Sequence, residues 1–184
     1  IIEKLITNFQ GIVVIDEAYI DFSNQQRWIS RLQEFPNVIV TQTLSKAYGM
    51  AGIRLGVCYA SAEIIAVLNK IKPPYNVNEL TQQKAIERLK NQAEVSEEIT
   101  SIITEREQLM LALKTINFIS TIYPSDANFV LVKVDDANKR YNQLIMQGIV
   151  VRNRTNQPLC ENCLRLTVGT KTENKRLIEA LKKI

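Results

Sequence analysis

Thr43-Leu-Ser-Lys-Ala-Tyr-Gly-Met-Ala-Gly-Ile-Arg54 places two hydroxyls, a lysine, two glycines and an arginine within one short stretch. An apolar β-branched run, Asn37-Val-Ile-Val40, precedes it, and it runs into another, Ile53-Arg-Leu-Gly-Val-Cys-Tyr-Ala60. Both runs read as strands, which makes the residues between them a strand-to-strand loop. Hydroxyls and backbone N–H groups in such a loop can cradle an anion, and Arg54 can pair with phosphate bidentately. The loop is not a Walker A motif, because no glycine precedes the lysine at the required spacing, and it is not GxGxxG. From these residues alone two readings stand: an anion-binding loop with a working lysine, or a solvated loop with an ordinary surface lysine.

Moving toward the amino terminus, Gly11-Ile-Val-Val-Ile15 is a wholly apolar run of the kind buried on both faces of a parallel sheet. It leads into Asp16-Glu-Ala-Tyr19, so a carboxylate and a phenol follow a strand at its carboxyl end, where ligands of parallel sheets bind. Helix capping or magnesium would explain such an aspartate as well. A helix is expected over Trp28 to Phe35, closed by Pro36, and another from Ala62 to Lys70. Strands alternating with helices predict an α/β fold. Lys72-Pro-Pro-Tyr-Asn76 then forms a rigid connector. Residues 78–115 carry helical periodicity, as one long or broken helix with its glutamates in solvent.

Beyond it a second α/β region is expected, with strands at Phe118–Tyr123, Asn128–Val134, Ile149–Arg152 and Leu164–Val168. Between them Asp136–Gln147 reads as a helix ending at Gly148, and Thr172 as the cap of a last helix through Leu181. The domain expectation is 1–77, a linking segment 78–115, and a small carboxyl-terminal domain 116–184.

Composition narrows the chemistry. The 184 residues are 46% hydrophobic and 23% charged, with net charge +4 and pI near 9.0. Lysines and arginines are dispersed without a run of five, which gives no support to a nucleic-acid surface. No apolar run reaches the ~20 residues that span a bilayer. The chain has no histidine, so Ser-His-Asp, Cys-His and HExxH chemistry cannot come from it alone. Cys58 lies in a run read as a buried strand. Cys160-Glu-Asn-Cys163 has CxxC spacing but too few ligands for zinc, and it precedes a strand where a redox pair would open a helix. Three cysteines without a framework point to a reducing, cytoplasmic setting.

Taken together, four stretches resemble the pyridoxal phosphate (PLP)-dependent aminotransferases of fold type I, and specifically the histidinol-phosphate aminotransferases. These are Ile15–Phe22, Thr43–Gly56, Lys72–Asn78 and Asn162–Thr170, so the resemblance runs along essentially the whole chain. It implies part of a large domain with a mainly parallel sheet, followed by a small α/β domain. It implies that Lys46 holds PLP through its amine and then moves the proton at the substrate Cα. Asp16 would face the pyridine nitrogen, and Tyr19 would donate to the ring oxygen. Thr43, Ser45 and Arg54 would hold the cofactor phosphate, the Lys46-to-Arg54 spacing matching the family pattern. Arg165 matches the family's arginine for substrate carboxylate or phosphate, and Arg152 a second arginine for the phosphate of histidinol phosphate. Each arginine could also be an ordinary surface one. Implied partners are histidinol phosphate, 2-oxoglutarate or glutamate, and a second copy in a homodimer, with no nucleic acid or membrane.

The resemblance also has a limit. Family members are about twice as long, and the half absent here supplies a glycine-containing phosphate loop, a ring-stacking aromatic residue and an asparagine. The chain opens on Ile1-Ile-Glu-Lys-Leu-Ile6 without Met, so a carboxyl-terminal fragment, inactive alone and prone to self-association, is expected. Rival readings are a threonine-phosphate decarboxylase type, an aromatic aminotransferase, a non-catalytic PLP-binding regulator domain, and an α/β domain without a ligand.

Overall fold

A computed structural model describes residues 1–184, which divide into two compact units, Ile1–Ser96 and Glu97–Ile184. The first contains α1 (Ile2–Asn8), β1 (Val13–Asp16), β2 (Val38–Thr43), β3 (Gly56–Tyr59), α2 (Ala62–Ile71) and α3 (Glu79–Lys90). The unit boundary falls inside α4 (Gln92–Leu113). β1 and β2 are parallel, with Asp16 beside Thr41. Residues 16–19 and 43–46 therefore leave the sheet at one shared carboxyl edge. β2 runs to Thr43, past the Val40 at which its apolar pattern stops. β3 returns antiparallel to β2, because residues 44–55 fold the chain back instead of crossing over.

The core of this unit is Ile6, Val13, Val38 and Val40, with Ile15, Trp28, Leu32, Phe35 and Tyr59 packed against it. Asn37 stitches α1 to the sheet, its side-chain amide donating to the carbonyls of Ile6 (3.3 Å) and Gly11 (3.1 Å). The segment Trp28–Glu34 is 3-10 rather than the expected α-helix. Arg31 covers its aromatic face, 5.2 Å from the Trp28 ring and 5.0 Å from Phe35, while pairing with Glu3 and Glu34. Two expectations about burial are corrected as well. The Gly11–Ile15 run is covered on one face only, since Val13 is buried and Val14 is 59% exposed. Cys58 is exposed, because β3 is an edge strand whose residues lie mostly in solvent.

The second unit adds β4 (Ile119–Ile122), β5 (Phe129–Val134), α5 (Ala137–Met146), β6 (Arg152–Asn153), β7 (Cys163–Thr167) and α6 (Lys171–Lys182). Its sheet has the order β4-β5-β7-β6 and is antiparallel throughout. β5 alternates strictly between half-buried and buried residues, the period-2 signature of a strand with one face on a core. That core gathers Val130, Val132, Val134, Leu164 and Leu166 from the sheet, with Leu109, Leu113, Leu144, Leu177 and Leu181 from the helices.

Local chemistry sets the helix ends. The Asp136 carboxylate accepts from the Lys139 amide at 3.0 Å to start α5, and Gly148 ends it at φ 71°, as its sequence position suggests. α6 is capped by Thr170, not Thr172. Thr170 and Glu173 form a reciprocal capping box, and the Thr170 amide holds the Glu173 carboxyl below its ordinary pKa. Ile149–Val151 is not strand, because the Ile149 amide donates to the Leu144 carbonyl and keeps the chain on the end of α5. The stretch from 78 to 115 is broken at Asn91. No helix is long and apolar enough to cross a membrane.

Candidate active site

The parallel β1–β2 pair brings together most of the residues singled out in the first unit. Asp16 ends β1, exposed, with Oδ1 accepting from the Ala18 amide at 2.9 Å. The Thr41 hydroxyl lies 3.5 Å from the same oxygen, a weak contact. One carboxylate oxygen is thus held by the turn. Tyr19 follows at the start of a 3-10 turn, Ile20–Phe22. Lys46 arrives from the end of β2, and its Nζ stands 5.2 Å from the centroid of the Tyr19 ring. A cation over an aromatic face is attracted by the ring quadrupole, so the Tyr19 ring favours the Lys46 amine where it stands.

The backbone of the loop explains why the lysine stands where it does. Leu44 and Ala47 are buried and anchor the loop from below. The Gly49 amide donates to the Lys46 carbonyl at 3.0 Å, and the Met50 amide to the Leu44 carbonyl at 2.9 Å. Gly49 takes φ 68°, a left-handed conformation natural to glycine. The hydroxyl of Thr43 donates to the Leu55 carbonyl at 3.2 Å and accepts from the Ser45 amide at 3.1 Å. Arg54 follows a 3-10 turn, Ala51–Ile53, at φ 55°. Its guanidinium is exposed, with one hydrogen bond of 2.7 Å to the Ala51 carbonyl. A non-glycine residue held left-handed beside an exposed cation fits a site organised around an anion.

Those features fit the donor set that PLP requires: an amine for its aldehyde, a carboxylate for its ring nitrogen, and an arginine with a hydroxyl for its phosphate. One buried group beside the site escaped sequence reading. Glu17 is buried, and its carboxylate accepts from the Trp28 amide and from the Gln42 side chain at 2.9 Å. It braces the strand ends from within, a role that its position next to Asp16 does not announce.

The second unit, taken by itself, sets Arg152 and Arg165 opposite one another across the β6–β7 ladder. Like charges directly opposite on a sheet repel, so such a pair is favoured where an anion lies between them. The Arg165 guanidinium lies 5.0 Å from the Phe129 ring, and Arg152 is exposed. Nearby, Cys160 and Cys163 are joined by a turn in which the Cys163 amide donates to the Cys160 carbonyl at 3.0 Å. Burial pushes the Cys163 thiol above its ordinary pKa, which makes it a poor nucleophile.

A family model described as aminotransferase class I and II matches residues 2–181. The chain is 65% identical over 179 residues to a histidinol-phosphate aminotransferase of Flavobacterium johnsoniae, covering 97% of this chain and 51% of that protein. Among solved structures, the histidinol-phosphate aminotransferase of Clostridium acetobutylicum superposes with a TM-score of 0.91 at 26% identity, over 99% of this chain and 56% of that one. The Sinorhizobium meliloti enzyme, solved in complex with pyridoxal-5'-phosphate, matches with a TM-score of 0.84 at 25% identity, over 98% and 53%. The chain spans about half the length of the curated relatives it matches.

Proposed function

The chain belongs to the class I and II aminotransferases, and we propose that it carries the lysine-bearing half of a histidinol-phosphate aminotransferase. The reaction is exchange of an amino group between L-histidinol phosphate and 2-oxoglutarate, giving imidazole acetol phosphate and glutamate, a step of histidine biosynthesis. A cytoplasmic homodimer belongs to the same proposal. The observation that supports it most is the meeting of Asp16, Tyr19 and Lys46 at the carboxyl edge of β1 and β2.

When bound, PLP supplies an aldehyde for amine exchange and a protonated ring that takes up the electron pair released at the substrate carbon. Lys46 would hold the cofactor through its Nζ. Its amine would serve as the base that moves the proton at the substrate Cα. Asp16 would hold the ring nitrogen through its exposed carboxylate, which favours the protonated ring. Tyr19 donates its hydroxyl to the ring oxygen. Ser45, Arg54 and, once its hydroxyl turns from the Leu55 carbonyl, Thr43 bind the cofactor phosphate. Arg165 binds the substrate carboxylate or phosphate and Arg152 the phosphate of histidinol phosphate, which relieves the repulsion between the two guanidinia.

The test is a substrate panel on the full-length enzyme containing this chain. Amino transfer from histidinol phosphate to 2-oxoglutarate, lost in Lys46→Ala, is expected. Decarboxylation of threonine phosphate, or preference for an aromatic amino acid over histidinol phosphate, would contradict the assignment.

A further inference from the structure

The loop that presents Lys46 is gripped from outside by one face of α3. Thr81, Ala85 and Arg88 share that face, spaced by four and then three residues. Thr81 and Ala85 are buried, and the Arg88 side chain is only 17% exposed. The Thr81 hydroxyl donates to the carbonyl of Ile53 at 3.3 Å, immediately before Arg54. Two turns further along, Arg88 Nε donates to the carbonyl of Tyr48 at 3.0 Å. Tyr48 lies inside the turn that Gly49 closes onto Lys46. Each contact falls within two residues of a group assigned to the cofactor.

Arg88 is itself held. Its Nη1 lies 3.4 Å from the Glu94 carboxylate at the start of α4, and Glu94 also accepts from the Asn91 side chain. A guanidinium presents Nε and Nη1 in fixed directions, so it bonds a carbonyl and a carboxylate at once without freedom to swing. Bonds from a charged donor to a carbonyl are stronger than neutral ones. Ala85, between the two contacts on the same face, is buried. The helix is a rigid rod, so its two contacts add to the loop's own turns a second restraint on the separation of the Tyr48 and Ile53 carbonyls.

We infer that Arg88 and Thr81 are positioning residues: through α3 they fix the distance between the Lys46 amine and the Arg54 guanidinium. The inference rests on Lys46 and Arg54 being the groups that take PLP, as proposed above. Arg88 governs the lysine end and Thr81 the phosphate end, so the two contacts have separable effects.

The test uses the full-length enzyme with Arg88→Met, Arg88→Lys and Thr81→Val, each checked for folding by thermal melting. The first readout is the rate at which borohydride fixes PLP to Lys46 at saturating cofactor, followed by peptide mass spectrometry. Arg88→Met should slow it roughly 10- to 100-fold, the scale expected of an ångström-sized misplacement. It should also move the pH midpoint of the cofactor's absorbance change. Arg88→Lys, which keeps one donor, should recover part of both. Thr81→Val should instead raise the PLP concentration needed for half-saturation and leave the saturated rate near wild type. Hydrogen exchange at the Gly49 amide, read without cofactor, should accelerate in Arg88→Met. Unchanged Gly49 exchange, or a folded Arg88→Met with wild-type fixing rate and pH midpoint, overturns the inference, as does Arg88→Lys being no better than Arg88→Met. Should Arg88→Met not fold, the Arg88→Lys and Thr81→Val arms decide by the same criteria. Wild-type protein that never fixes PLP on Lys46 defeats the functional reading instead, and Gly49 exchange then still tests the hold of α3 on the loop.

Discussion

The two units differ in how completely they bury themselves. Residues 97–184 assemble fifteen buried apolar side chains into one cluster around a four-stranded sheet. Residues 1–96 assemble four around a three-stranded one, and in this chain, which spans about half the length of its relatives, Leu5, Phe9, Ile12 and Val14 are more than half exposed. The lysine loop stands on the sparser unit. There the sheet supplies geometry, through the shared carboxyl edge of β1 and β2, and hydrogen bonds to backbone carbonyls add to the hold of the buried Leu44 and Ala47. In the other unit packing supplies the rigidity, and the two arginines ride on a strand pair fixed from beneath by Leu164 and Leu166.

The sharpest way to test this contrast is to remove the lysine. Lys46→Ala in the full-length enzyme should lower amino transfer on the order of 10⁴-fold or more, the upper range for loss of a proton-transfer group. Melting curves should hardly change, since Lys46 has no place in the core. A large loss of stability would show that the loop supports the unit rather than the reverse. Next in size is the packing contrast. Leu166→Ala, in the filled core, should cost about 2–5 kcal/mol in denaturant unfolding. Val14→Ala, on the face that is open in residues 1–184, should stay within about 0.5 kcal/mol when this chain is unfolded by itself. Equal costs would break the comparison.

Arg152→Gln should raise the KM for histidinol phosphate by about 10- to 100-fold, as expected for loss of a charged hydrogen bond, while the half-reaction with glutamate changes little. Equal loss for both substrates would remove the phosphate assignment. The smallest effect belongs to Asp135. Bidentate hydrogen bonding from Arg140 holds its carboxyl down at about 2, against an ordinary 3.8. A lowered folded pKa adds stability that is complete above about pH 4 and fades as pH falls toward 2. Asp135→Asn should therefore lower the stability of the second unit slightly above about pH 4, by little because the pair is solvent-screened, and leave it unchanged near pH 2, which flattens the acid limb.

Much of this arrangement is written in short-range pattern. β-branched runs mark β1, β2 and β5, and a carboxylate or hydroxyl at the end of each of β1 and β2 marks the edge of the candidate site. Thr170-Lys-Thr-Glu173 also carried its capping box in plain spacing, but Thr172 is as good a hydroxyl, and only the reciprocal Glu173 contact separates them. Burial was harder to read. Gly11–Ile15 and the run around Cys58 are apolar enough for a two-sided strand, and composition cannot say which face is covered. Least visible were Glu17, Thr81 and Arg88. Each acts on backbone or side chains far along the chain, Arg88 on a carbonyl forty positions away. On helix periodicity alone it is one more basic residue near a helix end.

The most direct measurement is the site at which borohydride fixes PLP in the full-length enzyme. Peptide mapping should place the reduced adduct on Lys46, and Lys46→Ala should abolish it. An adduct on another lysine, or none with the protein folded and PLP in excess, would contradict the account of the Lys46 loop.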